Sequence, residues 1–142
     1  MINFEETVRI HCPVERVFAF IVDDKNLRNW QTGLVENELL TEGPLQAGTR
    51  FREVRRMGPR EAEIQGEITS FVPNELFATR TLTQPHVTVS YTLEPANGET
   101  RITYRFTMTT KGFMRLIEPL FAASIMKDSA ADLAKLKRIL EG

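Results

Sequence analysis

Four polar side chains stand where the strand pattern of this chain would bury them: Glu53, Arg80, Tyr91 and Tyr104. Each places a polar tip among apolar neighbours, and a buried charge without a partner is costly. One use for such a group is binding, because a few placed polar atoms orient one end of a largely apolar molecule. The other use is acid–base chemistry, with Tyr91 or Tyr104 as proton donor and Arg80 stabilising an enolate oxygen. A plainer arrangement also fits, in which the tyrosines are core residues with satisfied hydroxyls, Glu53 lies at a solvated rim and Arg80 snorkels outward. Trp30 likewise serves either as a cavity wall or as a packing anchor for short helices. No acid–base pair with evident pKa tuning is visible, so binding ranks ahead of catalysis.

Other chemistries find little material. A metal site needs several converging ligands, whereas the chain has two histidines and one cysteine, and His11 and Cys12 point to opposite sides of a strand. Cys12 has no third group to orient a base and reads as a small apolar core residue. The eight glycines are scattered singly, so no phosphate-cradling loop and no cofactor is expected. Arg50, Arg52, Arg55, Arg56 and Arg60 cluster on one hairpin, but Glu53, Glu61 and Glu63 interleave with them. That mixture reads as a salt-bridged, solvated edge rather than a nucleic-acid surface. A net charge of −1, from 18 basic and 19 acidic side chains, gives no global field for nucleic acid or anionic membrane. A single cysteine forbids an intrachain disulfide and suits a reducing compartment. With no signal-like opening and no apolar run of membrane-spanning length, the expected location is cytoplasmic. The 142 residues, 42% hydrophobic and 26% charged, suit one domain over 1–142.

The elements that must position these side chains follow from spacing. Ile2, Phe4, Val8 and Ile10 alternate with polar residues as a half-buried first strand does. Pro13 fits a first helical turn, where its missing N–H costs nothing. Val14, Val17, Phe18, Ile21 and Val22 then mark an amphipathic helix, and Lys25–Trp30 a second short one.

Turn chemistry pairs the strands. Asn97-Gly98 between alternating runs is a strong hairpin signal, since a type I′ turn needs positive φ at both central residues. With Ala96 opposite Glu99, Leu93 meets Ile102, Tyr91 meets Tyr104, Val89 meets Phe106 and Val87 meets Met108. The opposite face is polar, as a one-sided sheet requires. A turn at Gly58-Pro59 places Phe51 opposite Gly66, Glu53 opposite Ile64 and Arg56 opposite Glu61. A turn at Pro73-Asn74 sets Val72 near Leu76 and Ile68 opposite Arg80, and the Thr83–His86 loop sets Leu82 opposite Val87. The expected inner face therefore includes Phe51, Glu53, Ala62, Ile64, Gly66, Ile68, Ala78, Arg80, Val89, Tyr91, Tyr104 and Phe106.

From Phe113 onward the pattern is helical. Phe113, Leu116, Ile117, Leu120 and Phe121 form a broad apolar face, which Ile125, Leu133, Leu136 and Leu140 continue. Pro119 must kink this helix or begin a new segment. Ala122, Ala123, Ser124, Ser129, Ala130 and Ala131 would leave volume above the sheet. A strongly curved antiparallel sheet closed by one helix cannot fill its interior, so this order of elements predicts a container.

Several segments match a known family. They are the opening strand running into Cys12-Pro13-Val14-Glu15-Arg16-Val17-Phe18, then Asn29-Trp30 and Gly48-Thr49-Arg50-Phe51. Ile68-Thr69-Ser70-Phe71-Val72-Pro73, Asn74-Glu75-Leu76 and the Pro119-bearing helix ending Leu133-Ala134-Lys135-Leu136 complete the set. In this order they resemble the START/polyketide-cyclase (SRPBCC) superfamily, in particular its polyketide cyclase/dehydrase and lipid transport branch. The resemblance spans nearly the whole chain. It implies an α+β helix-grip (START-like) fold, a seven-stranded curved antiparallel sheet wrapped around a long C-terminal helix, with two short helices after the first strand. It implies a cavity for a small hydrophobic or amphipathic ligand, lined here by Trp30, Phe51, Ile64, Ile68, Arg80, Val89, Tyr91, Tyr104, Phe106, Ile117, Phe121 and Ile125. A minority of members catalyse cyclisation or dehydration, for which Tyr91, Tyr104 and Arg80 are the candidates, and another branch activates a stress chaperone. The sheet's open edges leave both a monomer and a homodimer available.

Overall fold

Asn97 and Gly98 both have positive φ, 54° and 81°, and the hairpin they close has the register their chemistry demands. Ala96 faces Glu99, Leu93 faces Ile102, Tyr91 faces Tyr104 and Val87 faces Met108. The computed structural model describes residues 1–142 apart from the side chain of Met57. The strands are β1 (Ile2–Ile10), β2 (Leu34–Leu39), β3 (Arg50–Met57), β4 (Arg60–Val72), β5 (Leu76–Thr81), β6 (Val87–Ala96) and β7 (Glu99–Met108). They form one seven-stranded antiparallel sheet in the order β1-β7-β6-β5-β4-β3-β2. Helices α1 (Val14–Val22) and α2 (Leu27–Trp30) connect its two edge strands, and α3 (Glu118–Glu141) lies against the inner face. No helix among the described residues is long and apolar enough to cross a membrane.

The short helices follow their sequence closely. Pro13 stands just before α1, and its carbonyl accepts from the amides of Arg16 and Val17 at 3.1 Å each. Val17, Phe18 and Ile21 are buried, as their spacing along one face requires. Cys12 is buried, and its carbonyl accepts the Thr100 hydroxyl at 2.7 Å.

The β3–β4 hairpin also has the expected pairing, with Phe51 opposite Gly66, Glu53 opposite Ile64 and Arg56 opposite Glu61. The next hairpin departs from it. Val72 does pair with Leu76, but the register shifts between Ile68 and Ser70, leaving Thr69 as an extra residue. Below this bulge Ile68 faces Thr79, and Arg80 faces Glu67 on one side and Thr88 on the other. The expected pair Ile68–Arg80 is therefore off by one residue, and the β5–β6 register, with Arg80 opposite Thr88, separately differs by one from the expected Leu82–Val87 pairing. A one-residue slip turns every side chain to the other face. Phe77, Thr79 and Thr81 line the interior, whereas Ala78 and Arg80, placed inside by their sequence pattern, belong to the outer face.

The C-terminal region differs from expectation at its start. Gly112–Arg115 form a 3₁₀ turn, and α3 begins only at Glu118 with Pro119 in its first turn. Phe113, Leu116 and Leu120 are 72%, 78% and 78% exposed instead of packed. The inward stripe runs through Phe121, Ile125, Ser129, Leu133, Leu136 and Leu140, and Leu120 sits one position behind it. Neighbouring positions are turned by about 100° on a helix of 3.6 residues per turn, so Leu120 points away, while Leu116 follows the 3₁₀ turn before α3 begins. Of the six small residues expected to open space above the sheet, only Ala122 and Ser129 face inward; Ala123, Ser124, Ala130 and Ala131 are exposed.

Candidate functional site

Between α3 and the middle of the sheet lies a cavity of about 360 Å³. Its apolar wall is built by Phe51, Ile64, Ile68, Phe77, Val89 and Phe106 from the strands and by Phe121, Ile125 and Leu133 from the helix. These strand residues share the inner face because side chains alternate along a strand. Gly66 permits one close approach: a Cβ there would lie 2.6 Å from the Phe51 ring and 2.8 Å from the Arg80 carbonyl oxygen. The Phe51 ring occupies the space that a side chain at position 66 would take.

A polar group gathers at the end nearest α2. Arg55 points inward from β3, opposite Ala62. Its Nε donates to Glu53 Oε1 at 3.0 Å and its Nη2 to Gln31 Oε1 at 2.5 Å. Burial works against the Arg55 charge, but the Glu53 carboxylate outweighs it and the guanidinium is held above its ordinary pKa. Tyr91 and Tyr104 stand side by side on β6 and β7, with ring centroids 5.1 Å apart at 50°. Trp30 meets Tyr91 edge-on at 6.1 Å and 77°. Burial raises both phenols, Tyr91 well above its usual value, and the neighbouring Ser129 hydroxyl partly offsets the effect for Tyr104. Both tyrosines are thus held as neutral hydroxyls at physiological pH, able to donate.

Asp132 closes this end from α3. Its Oδ1 accepts from the Thr32 amide at 2.8 Å and from the Thr32 hydroxyl at 2.5 Å. Burial raises the Asp132 pKa, although the two Thr32 bonds pull the other way. The Trp30 indole N–H is buried and meets no acceptor among the described residues. No group of three or more metal-ligating side chains occurs among them either.

Of the residues that the sequence assigns to a cavity, Trp30, Phe51, Ile64, Ile68, Val89, Tyr91, Tyr104, Phe106, Phe121 and Ile125 lie along it. Ile117 does not border it and instead precedes the first turn of α3. Arg80 reaches its border, but the guanidinium is bonded to Glu67 and the side chain is 55% exposed. Arg55, 31% exposed, is the cation that faces the interior. Sequence reasoning missed Arg55, Gln31, Ser129 and Asp132. For Arg55 a signal was present, since it shares strand parity with Glu53. The three others sit on helix or loop backbone, where strand parity carries no information.

A curved antiparallel sheet gripping one long helix around a cavity defines a helix-grip protein. The chain belongs to the family described as polyketide cyclase/dehydrase and lipid transport, which matches residues 1–141. Solved structures share the fold at low identity. A protein from Thermus thermophilus superposes with a TM-score of 0.81 at 17% identity, covering 96% of this chain and 94% of that one. The Zhui aromatase/cyclase from a Streptomyces species gives 0.78 at 18% identity, covering 98% and 94%. The Aha1 dimer from Colwellia psychrerythraea gives 0.72 at 18% identity, covering 99% and 97%. No curated protein matches in sequence.

Proposed function

We propose that this protein binds a small, largely apolar molecule in the cavity, with one hydrogen-bonding end directed at Arg55 and the two tyrosines. The observation that carries this reading is a largely apolar cavity with one inward-facing charged and phenolic cluster. Its walls are mostly aliphatic and aromatic, Arg55, Glu53, Tyr91 and Tyr104 gather near α2, and Thr79 and Thr81 add hydroxyls on β5. A volume of about 360 Å³ falls within the range of small-molecule pockets. Apolar burial contributes roughly 25 cal/mol per Å² before association costs, enough for micromolar binding once a few hydrogen bonds are added.

Displacement of a fluorescent fatty acid tests the reading. Wild type should capture the probe, and Phe121→Trp, which fills the apolar end, should release it. Arg55→Met should weaken a carboxylate probe more than its alcohol counterpart. A folded protein that captures no apolar probe would sink the proposal.

One observation favours a catalytic second reading: Asp132, with its raised pKa, closes the same end of the cavity as the Tyr91–Tyr104 pair and Arg55. The Zhui relative is named an aromatase/cyclase, and the family description includes cyclases and dehydrases. In such a reaction on a polyketide-like substrate, a tyrosine would donate the proton. Arg55, in place of Arg80, would stabilise the enolate oxygen. Turnover that survives Tyr91→Phe, Tyr104→Phe, Asp132→Asn and Arg55→Met would eliminate this assignment. A chaperone-associated interaction module needs an exposed apolar patch or groove; the outer face of the sheet carries the pairs Arg101–Glu94 and Arg105–Glu5 at 2.8 and 2.7 Å instead. That leaves the exposed Phe113, Leu116 and Leu120 as the surface such a module would use, and a pull-down with chaperone separates it from ligand binding.

A further inference from the structure

The first ten residues of the C-terminal region, 111–120, combine two features that the cavity does not use. Phe113, Leu116 and Leu120 are the most exposed large apolar side chains of the chain, at 72%, 78% and 78%. Scattered single leucines on a surface need no explanation, but three within eight residues of one turn-and-helix segment form a patch. Lys111 precedes them and Arg115 lies between Phe113 and Leu116; both are exposed and neither joins an ion pair among the described residues, although Arg115 is near enough to help the Thr110 hydroxyl lower the Glu118 pKa. Glu118 is the one carboxylate in the segment. It is 21% exposed and bonded to the Thr110 hydroxyl at 2.5 Å and the Met1 amino group at 2.9 Å. The segment therefore interleaves exposed apolar side chains with two exposed cations against one carboxylate, although the whole chain carries a net charge of −1.

We propose that the 3₁₀ turn Gly112–Arg115 and the first turn of α3 dock onto an anionic lipid bilayer. Apolar side chains flanked by Lys or Arg suit a membrane interface, where the rings and leucines enter the acyl boundary and the cations meet phosphate or carboxylate headgroups. A second copy of the chain is the competing occupant of an exposed apolar patch, and the oligomeric state distinguishes it in the experiment below. The placement has a consequence for the cavity, because Leu120 points outward while its neighbour Phe121 lines the interior. The docked turn is thus also part of the cavity's roof. The proposal goes beyond ligand binding and stands separately from it.

Flotation with phosphatidylcholine vesicles, with and without an equal part of phosphatidylserine, tests the docking. Wild type should partition onto the mixed vesicles, release as salt screens the cations, and bind little to phosphatidylcholine alone. The triple variant Phe113→Ser, Leu116→Ser, Leu120→Ser should lose roughly tenfold or more of that partitioning. Lys111→Glu with Arg115→Glu should abolish the preference for phosphatidylserine. Both variants should keep the wild-type melting curve and fatty-acid probe binding, since none of these side chains lines the cavity. If the triple variant fails to fold, Leu120→Ser alone carries the comparison. Equal or absent wild-type partitioning on the two vesicle types would overturn the proposal. So would a triple variant that floats like wild type, or a wild-type dimer that the triple variant dissociates.

Discussion

The two halves of α3 meet the same sheet in different ways. Toward its C-terminus Leu133, Leu136 and Leu140 are buried in a cluster with Ile10, Val17, Ile21 and Ile102. Toward its N-terminus Phe121 and Ile125 are only half-buried and look across the cavity to Phe51, Ile64 and Val89. The closed half is assembled from β1, α1, the end of α3 and part of β7, and the open half from β3 to β6 with Tyr104 and Phe106 of β7; Leu133 sits at the boundary and faces both. Three leucines on a continuous stripe fill the space on one side, whereas on the other the stripe passes through Ser129 and Ala122. The same helix is a core element at one end and a lid at the other. Stability should therefore concentrate in the closed half and binding in the open half.

The sharpest test of that division is Leu136→Ala, which should cost about 2–5 kcal/mol because Leu136 is fully buried in a packed cluster. Phe121→Ala should cost much less in urea denaturation while weakening probe binding. Equal losses at the two sites would break the comparison. Gly66→Ala should come next, at about 1–3 kcal/mol, because the new methyl meets the Arg80 backbone as well as the movable Phe51 ring. It should also reduce the size of probe that the cavity accepts, as Phe51 is pushed inward. Tyr104→Phe removes one hydroxyl from the polar end of the cavity while keeping the ring against Tyr91, and should cost about 0.5–1.5 kcal/mol.

The smallest effect concerns pH. Asp132 has a folded pKa above its ordinary 3.8, so folding favours its protonated form. Its contribution is fully present below that ordinary value and is lost as pH rises through the raised one. Wild type should thus lose stability relative to Asp132→Asn over this mildly acidic window and show a constant difference above it. Thermal melts of the two proteins at a series of pH values would show this, and an unchanging difference would place the carboxyl in ordinary solvent.

Much of the closed half was legible from sequence, because its geometry rests on local signals. Asn97-Gly98 set the β6–β7 register through backbone φ alone, and with it the neighbouring positions of Tyr91 and Tyr104. The spacing of Val14, Val17, Phe18 and Ile21 marked α1. The open half rests on features with weaker signatures. An extra residue at Thr69 leaves plausible alternation on both sides of itself, so Arg80 was read as inward and Phe77 as outward. Arg55 has the strand parity of Glu53 and faces Ala62, yet the arginine-rich composition around it suggested a wholly solvated edge. The periodicity of Phe113, Leu116 and Leu120 identified an apolar face without saying what would cover it.

The bulge at Thr69 has a consequence for how this chain can vary. Upstream of it Ile64 and Ile68 look into the hollow; downstream Phe71, now of opposite parity, packs edge-on against Phe18 of α1 at 5.4 Å. One long strand thereby serves two hydrophobic neighbourhoods that a strictly alternating strand could not reach together. A single-codon deletion at this point would turn one of the two inside out, even though the composition hardly changes. Strand length, counted to the residue, is part of the specification.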